Sequence, residues 1–220
     1  MKNLERKLIE NAKIIFFDFD GVIKESVDIK TKIFRDLFKP YGAEVEKSVV
    51  NHHLNNAGIS RFIKIPFYFS EYIGRKITKE EEKEFLKKFY DQSIKKVVES
   101  EWVPGVENLL RKNPYKQKFV LVTGTPQKDI TIILHELKLF HSFKAIYGAP
   151  KEKSDAVKEF LKKNKNMNFK SIFIGDAMTD YVAAKENKIE FLLRLEDNVS
   201  PNLISSTNYQ IKDFNILSNE

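Results

Sequence analysis

Hydrophobic positions along the chain follow two patterns, and the change from one to the other divides it. Short, largely apolar runs occur at Ala12 to Phe17, Phe119 to Val122, Phe143 to Tyr147, Ser171 to Ile174 and Glu190 to Leu195. Runs of this length and composition predict strands, the first two of them buried on both faces as in parallel sheets. Between them the apolar positions recur at helical period. This predicts helices at Val106 to Lys112, Asp129 to Leu139, Ser154 to Asn164 with Ser154 as N-cap, and Tyr181 to Glu186. Leu4, Leu8 and Ile9 give a short helix ahead of the first strand, and Tyr209-Gln210-Ile211 a short edge strand near the end. Strands alternating with helices predict a parallel sheet covered on both faces.

The alternation is interrupted once. From Glu25 to Ser100 the spacing is helical throughout, with no buried-strand run. Ile29, Ile33, Phe34 and Leu37 share a face until Pro40-Tyr41-Gly42 breaks the pattern. Val45 to Asn56 follows, ending near Gly58. Ser60 to Ile73 is rich in Phe and Tyr, with Pro66 marking a kink or a start. Thr78 and Glu81 have the spacing of a capping box, opening a helix to about Glu99. The expected organisation is an α/β core from residues 1–24 and 101–220, with 25–100 inserted as a helical cap.

Composition narrows the function classes. There are no cysteines, which excludes disulfides and thiolate chemistry. The net charge is +7, but the lysines are scattered among glutamates, as in Lys79-Glu80-Glu81-Glu82-Lys83, and form no basic stripe. That argues against a nucleic-acid partner and for solvated helix faces. The first eleven residues are a charged amphipathic stretch unlike a signal peptide. No apolar run approaches the roughly 20 residues of a membrane helix. A cytoplasmic protein with no membrane partner is expected; oligomeric state is not legible.

Polar groups gather at the strand ends. Asp18 and Asp20 follow the first strand, two apart and so pointing the same way in extended chain, with Gly21 permitting a tight turn. Thr123-Gly124-Thr125 follows the second, Lys151 and Lys153 the third, and Gly175-Asp176 with Asp180 the fourth. In a parallel sheet these ends share one edge, where such sheets bind ligands. Each motif taken alone has a plain structural reading: a turn, a helix cap, a surface lysine. In this order, at Asp18-Phe-Asp20-Gly-Val-Ile, Thr123-Gly-Thr, Lys153 and Gly175-Asp176-Ala-Met-Thr-Asp180, the chain resembles the haloacid dehalogenase-like superfamily over nearly its whole length. The likeness is to its phosphatase branch with an α-helical cap of the first type, that of beta-phosphoglucomutase and phosphoglycolate phosphatase. The resemblance implies a Rossmann-like core and hydrolysis of a small phosphorylated metabolite, a sugar phosphate or sugar-acid phosphate, through an aspartyl-phosphate. Asp18 would be the nucleophile and Asp20 the acid and base. Thr123, Gly124 and Lys153 would bind the phosphoryl oxygens. Mg²⁺ would be held by Asp18, Asp176, the Asp20 carbonyl and, directly or through water, Asp180.

Within the insert, Arg61 and Lys64 lie three apart on one helix face beside aromatics and are candidates for a second anionic group on the substrate. The competing reading is two solvated cations. His52 and His53 have no partners that would make them metal ligands. Trp102 to Gly105 and the segment after Gly21 are the expected hinges. A phosphosugar mutase is the main alternative. Phosphonate cleavage would need an imine-forming lysine such as Lys30, Lys32 or Lys64. A binding protein with a dead site is disfavoured by the intact acidic positions.

Overall fold

The computed structural model describes residues 2–164, 170–196 and 199–217. Six strands form one sheet: β1 (Ile14–Phe17), β2 (Lys118–Pro126), β3 (Phe143–Ala149), β4 (Ser171–Gly175), β5 (Glu190–Arg194) and β6 (Gln210–Ile211). Their order is β3-β2-β1-β4-β5-β6, and every neighbouring pair is parallel. β1, the first formed in sequence, is central and fully buried because it is apolar on both faces. Its alternate residues serve two cores. Ile15 and Phe17 pack with α1 (Lys2–Asn11), α6 (Val106–Lys112) and α7 (Gln127–Glu136). Ile14 and Phe16 pack with α8 (Lys153–Lys163), α9 (Met178–Glu186) and α10 (Pro201–Ser206). Phe16 meets Phe160 edge-on at 5.7 Å and stacks on Phe173 at 6.2 Å. Burying one such ring contributes roughly 1.5–3 kcal/mol.

The chain leaves the sheet after β1 and returns before β2. Between lie α2 (Val27–Phe38), α3 (Ala43–Asn55), α4 (Arg61–Tyr68) and α5 (Lys79–Glu99). They bury a third, aromatic cluster of their own, with Phe34, Phe38, Tyr68, Phe69, Phe85 and Phe89 in mutual ring contact. The two crossing segments touch. Lys24 bridges Trp102, Glu25 N–H donates to the Glu101 carbonyl at 2.9 Å, and Val103 N–H to that of Ile23 at 3.1 Å. Trp102 is only partly buried and covers the Lys24 ammonium at 4.2 Å.

Some boundaries differ from expectation. Thr123 to Pro126 continues β2 rather than ending it, because a register shift carries Pro126 opposite Ala149. Glu152, not Ser154, is the N-cap of α8; the Ser154 hydroxyl donates instead to Glu186. α7 starts at Gln127, two residues early, behind Pro126, which fixes the backbone for a helix start. α9 starts at Met178. Pro66 lies inside α4, which begins at Arg61 with the Ser60 hydroxyl accepting from Phe62 N–H. The helix then widens into a π turn at Phe69–Ile73 before Gly74. The Thr78–Glu81 capping box is present in both directions.

Candidate active site

β1 ends where its apolar run ends, and Asp18 follows at once. Its Oδ1 accepts from Phe19 N–H at 2.6 Å, and its Oδ2 accepts from Lys153 Nζ at 2.6 Å. Lys153 is the first residue of α8, so its side chain reaches back along the sheet edge. The same ammonium donates to Asp180 Oδ1 at 2.6 Å. Lys153 is buried, which overturns the surface-lysine reading; Lys151 is the exposed one, paired with Glu159 at 2.8 Å. Asp180 also caps α9, accepting from Ala177 N–H at 3.1 Å. Its cap role and its contact with Lys153 coexist.

Asp18, Asp176 and Asp180 each offer a carboxylate oxygen within 4.8 Å of the others, and all three are buried. Burial, the Asp18 charge and then those of Glu196 and Asp180 push the Asp176 carboxyl well above its ordinary range. Burial raises Asp180 to about 7, against the opposing pull of Lys153. Burial also opposes the Lys153 charge, but Asp18 and Asp180 hold its ammonium above the usual lysine range. Three carboxylates crowded around one ammonium leave an excess of negative charge that suits a hard divalent cation with oxygen ligands. Two glycines make the crowding possible. A side chain on Gly21 (φ +73°) would come 2.5 Å from Asp176 Oδ2, and one on Gly175 would come 2.5 Å from Asp180 Oδ2.

Asp20 lies outside that carboxylate cluster. Its Oδ1 accepts from Ser26 Oγ at 2.5 Å, and its Oδ2 from Thr125 Oγ1 at 3.0 Å and from Lys30 Nζ. Burial works against its charge, yet Lys30, with Ser26 and Thr125, holds the carboxyl below its usual range. Thr123 is buried beside these groups, its Oγ1 accepting from Thr125 N–H at 3.2 Å. Gly124 lies against Gly58 of the α3–α4 connection; a Cβ there would meet the Gly58 carbonyl at 2.2 Å.

Several of these groups line a partly open cavity of about 60 Å³ between the sheet edge and the inserted helices. Asp18, Asp20, Thr123, Gly124 and Asp176 form its floor, and Arg61 and Lys64 stand in its far wall. Neither cation is solvated, contrary to the blander expectation. Arg61 faces Asp129 of α7 at 2.6 Å. The approach is close but not aligned as a hydrogen bond, so Arg61 Nε and Asp129 Oδ2 both lack hydrogen-bond partners. Lys64 Nζ is 2.8 Å from His53 Nδ1. Among the imine candidates, Lys30 is ion-paired to Asp20 and Lys32 is exposed.

Sequence reasoning missed Ser26, Lys30 and Thr125 around Asp20, Asp129 on Arg61, and His53 as partner of Lys64. A signal existed for the first two. Ser26 and Lys30 are four apart at the start of the first inserted helix, on one face, just after the Asp20-Gly21 turn. Asp129 and His53 meet their partners only through tertiary packing.

Acidic groups, a lysine and a Thr-Gly pair at the carboxyl edge of a parallel sheet define a hydrolase-type α/β site. The model of the haloacid dehalogenase-like hydrolases matches residues 15–193, and the chain belongs to that family. Among curated proteins, YhcW of Bacillus subtilis (strain 168), named a candidate phosphatase, is 30% identical over 142 residues. That match takes in 62% of this chain and 60% of the relative's length. Among solved structures, a predicted phosphoglycolate phosphatase from Haemophilus somnus 129PT superposes with a TM-score of 0.72 at 20% identity, over 94% of this chain and 97% of that one. A beta-phosphoglucomutase from Clostridium difficile gives 0.71 at 20% identity, over 94% and 93%. At such identities these structures speak for the fold. No helix among the described residues is long and apolar enough to cross a membrane.

Proposed function

We propose that this chain is a Mg²⁺-dependent phosphatase that hydrolyses a small phosphorylated metabolite through an aspartyl-phosphate. The observation that carries the reading is the buried group formed by Asp18, Lys153, Asp176 and Asp180 beside Thr123 at the sheet edge. The Asp18 carboxylate attacks phosphorus and the ester P–O bond breaks. The leaving oxygen takes a proton from Asp20. A water then gives its proton to Asp20 and attacks phosphorus, the Asp18–phosphoryl bond breaks, and phosphate leaves. As it stands, Asp20 is ionised by its pairing with Lys30, the form a base needs. To act first as acid it must take up a proton, which an arriving phosphate favours by drawing Lys30 toward itself. Thr123, the Gly124 amide and Lys153 bind the phosphoryl oxygens as charge develops there.

Asp18 and Asp176, with the Asp20 main-chain carbonyl, would hold the Mg²⁺, and Asp180 would act directly or by steadying Lys153. When bound, the ion offsets the repulsion between carboxylates and an anionic phosphoryl group. Residues 25–100 act as a cap on the core of 1–24 and 101–220, turning at Lys24 and Trp102 and excluding water from the cavity.

A second reading, a phosphosugar mutase, is supported by the likeness in fold to a beta-phosphoglucomutase; a mutase must keep water from the intermediate. Incubation with Mg²⁺ and a panel of sugar phosphates and phosphorylated sugar acids separates the two. Free phosphate, absent with Asp18→Asn, supports hydrolysis; isomerised substrate without phosphate supports the mutase; neither product from any substrate refutes both.

A further inference from the structure

The carboxyl of Asp20 is held from outside the cavity. Ser26 is fully buried at the N-cap of α2, where a serine hydroxyl ordinarily accepts a main-chain N–H of the first turn. Among the described residues it takes no such bond. The hydroxyl donates to Asp20 Oδ1 at 2.5 Å instead. A serine cap contributes about 1 kcal/mol to its helix. The charge-assisted bond to Asp20 offsets that loss only while residue 26 stays within reach of the carboxylate.

The residue before it supplies the hold. Glu25 is gripped by Arg194, the last residue of β5: Nη1 donates to Glu25 Oε2 at 3.0 Å and Nη2 donates to Oε1. Arg194 Nε donates to the Lys212 carbonyl, just past β6, at 3.1 Å. The guanidinium is buried and fixed on three sides, and its fork-to-fork pairing with a carboxylate is strongly directional. The Glu25 main chain has its own tie, N–H to the Glu101 carbonyl at 2.9 Å, so the side-chain grip sets how the residue is turned about that bond. Stability gives no reason for an arginine here. Phe191, Leu192 and Leu193 before it are buried, and an apolar side chain in its place would be no less stable than a buried ion pair.

We infer that Arg194 and Glu25 are positioning residues: their clamp holds Ser26 against Asp20, and so fixes the direction in which Asp20 passes its proton to the leaving oxygen. The inference rests on the phosphatase reading, with Asp20 as acid and base, and deepens it. Asp20 Oδ2 is bonded to Thr125 and Lys30, so Ser26 holds the oxygen that remains. Loss of that bond lets the carboxyl turn about the other. A displacement of about 1 Å costs such a transfer up to about 100-fold. The whole acid–base group supplies about 10²- to 10⁴-fold.

The test reads kcat/KM, at saturating Mg²⁺, along a series of ring-substituted phenyl phosphates from 4-nitrophenyl to phenyl. This constant covers the steps up to loss of the leaving group, so only the acid role of Asp20 enters it. 4-Nitrophenolate departs without a proton; the more basic phenolate gains most from one. Arg194→Met and Glu25→Ala should each lower kcat/KM for phenyl phosphate by about 10- to 100-fold, and for 4-nitrophenyl phosphate by less than about threefold. Asp20→Asn sets the limit, with the same steepening and a larger loss. Ser26→Ala should match the clamp variants, and Ser26→Ala with Arg194→Met should lose no more than either alone, since both remove one contact. Glu196 lies 4.0 Å from Arg194 and its charge reaches Asp176, so Glu25→Ala, which leaves that pair in place, separates the clamp from a change at the carboxylate cluster. The same variant carries the test should Arg194→Met not fold. An equal loss on every ester, no loss on any, or additive losses from Ser26→Ala and Arg194→Met overturns the inference and leaves the phosphatase reading intact. An unchanged slope in Asp20→Asn overturns the acid–base assignment, and the inference with it. No phosphate from this series or from the sugar-phosphate panel overturns both readings.

Discussion

Arg61 and Asp129 tie the inserted helices to the layer beside the sheet, and the cost of cutting that tie can be worked out. Their side chains are 8% and 6% exposed, and the charged atoms lie 2.6 Å apart. At an effective dielectric constant near 20, unit charges about 4 Å apart attract by about 4 kcal/mol. Asp129→Leu leaves the guanidinium, whose Nε is already unpaired, buried without its carboxylate beside the rings of Phe62 at 5.6 Å and Phe89 at 5.1 Å. Orphaning one partner of a buried pair costs about 3–5 kcal/mol, whereas replacing both with apolar side chains is close to neutral. The expected outcome is therefore that Asp129→Leu and Arg61→Met each cost about 3 kcal/mol or more, while the double variant lies within about 1 kcal/mol of the parent. Equilibrium urea unfolding with unchanged slopes measures this; in a chain this long each kcal/mol also moves Tm by about 2–4 °C. If Asp129→Leu costs less than about 1 kcal/mol, or the double variant loses the sum of the single losses, the pair is not coupled and Arg61 is not held by the protein.

Three further outcomes are expected. Asp18→Asn and Asp176→Asn should each lower Mg²⁺-dependent phosphate release by at least about 10³-fold with unchanged circular dichroism, the scale of losing a group that acts in the chemistry itself. Thr78→Ala should cost about 1 kcal/mol in urea unfolding by removing one arm of the capping box. The other arm carries a pH signature: the Arg75 hydrogen bond, then that of Thr78, holds Glu81 at about 2, so its contribution is present above the ordinary range near 4.5 and is lost as pH falls toward 2. Lys64→Met should unfold at higher urea than the parent at pH 7. Since the folded Lys64 titrates near 7 and an unfolded lysine near 10.5, the unfolded chain binds the extra proton between those values. Parental stability from this residue therefore rises with pH, and the gap between variant and parent should narrow toward pH 10.

The strands were legible because their signal is local. Ile14 to Phe17 and Ile172 to Ile174 are apolar on both faces, which only a covered parallel strand accommodates, and the polar groups that follow them had to lie at one edge. The same logic assembled Asp18, Lys153, Asp176 and Asp180 at that edge from four separate stretches. Helix starts were less legible. Ser154 looked like a cap by residue type, but the backbone turned one step earlier, at Glu152, and the hydroxyl found Glu186 instead. Thr123-Gly124 looked like a strand end, yet pairing with β3 continues past it. The cavity's far wall was least legible. Arg61 and Lys64 were visible as cations on one face, but their burial and their different partners, Asp129 and His53, come from how α4 packs on α7 and α3. Spacing along one helix carries no record of that packing.

The account rests on Asp18 as the atom that receives the phosphoryl group. Rapid quenching in acid with a ³²P-labelled phosphomonoester, followed by peptide mapping, addresses it directly. The expected result is Mg²⁺-dependent, hydroxylamine-labile label on the peptide containing Asp18, absent in Asp18→Asn. Phosphate release without any label on that peptide, or label on another residue, would contradict it.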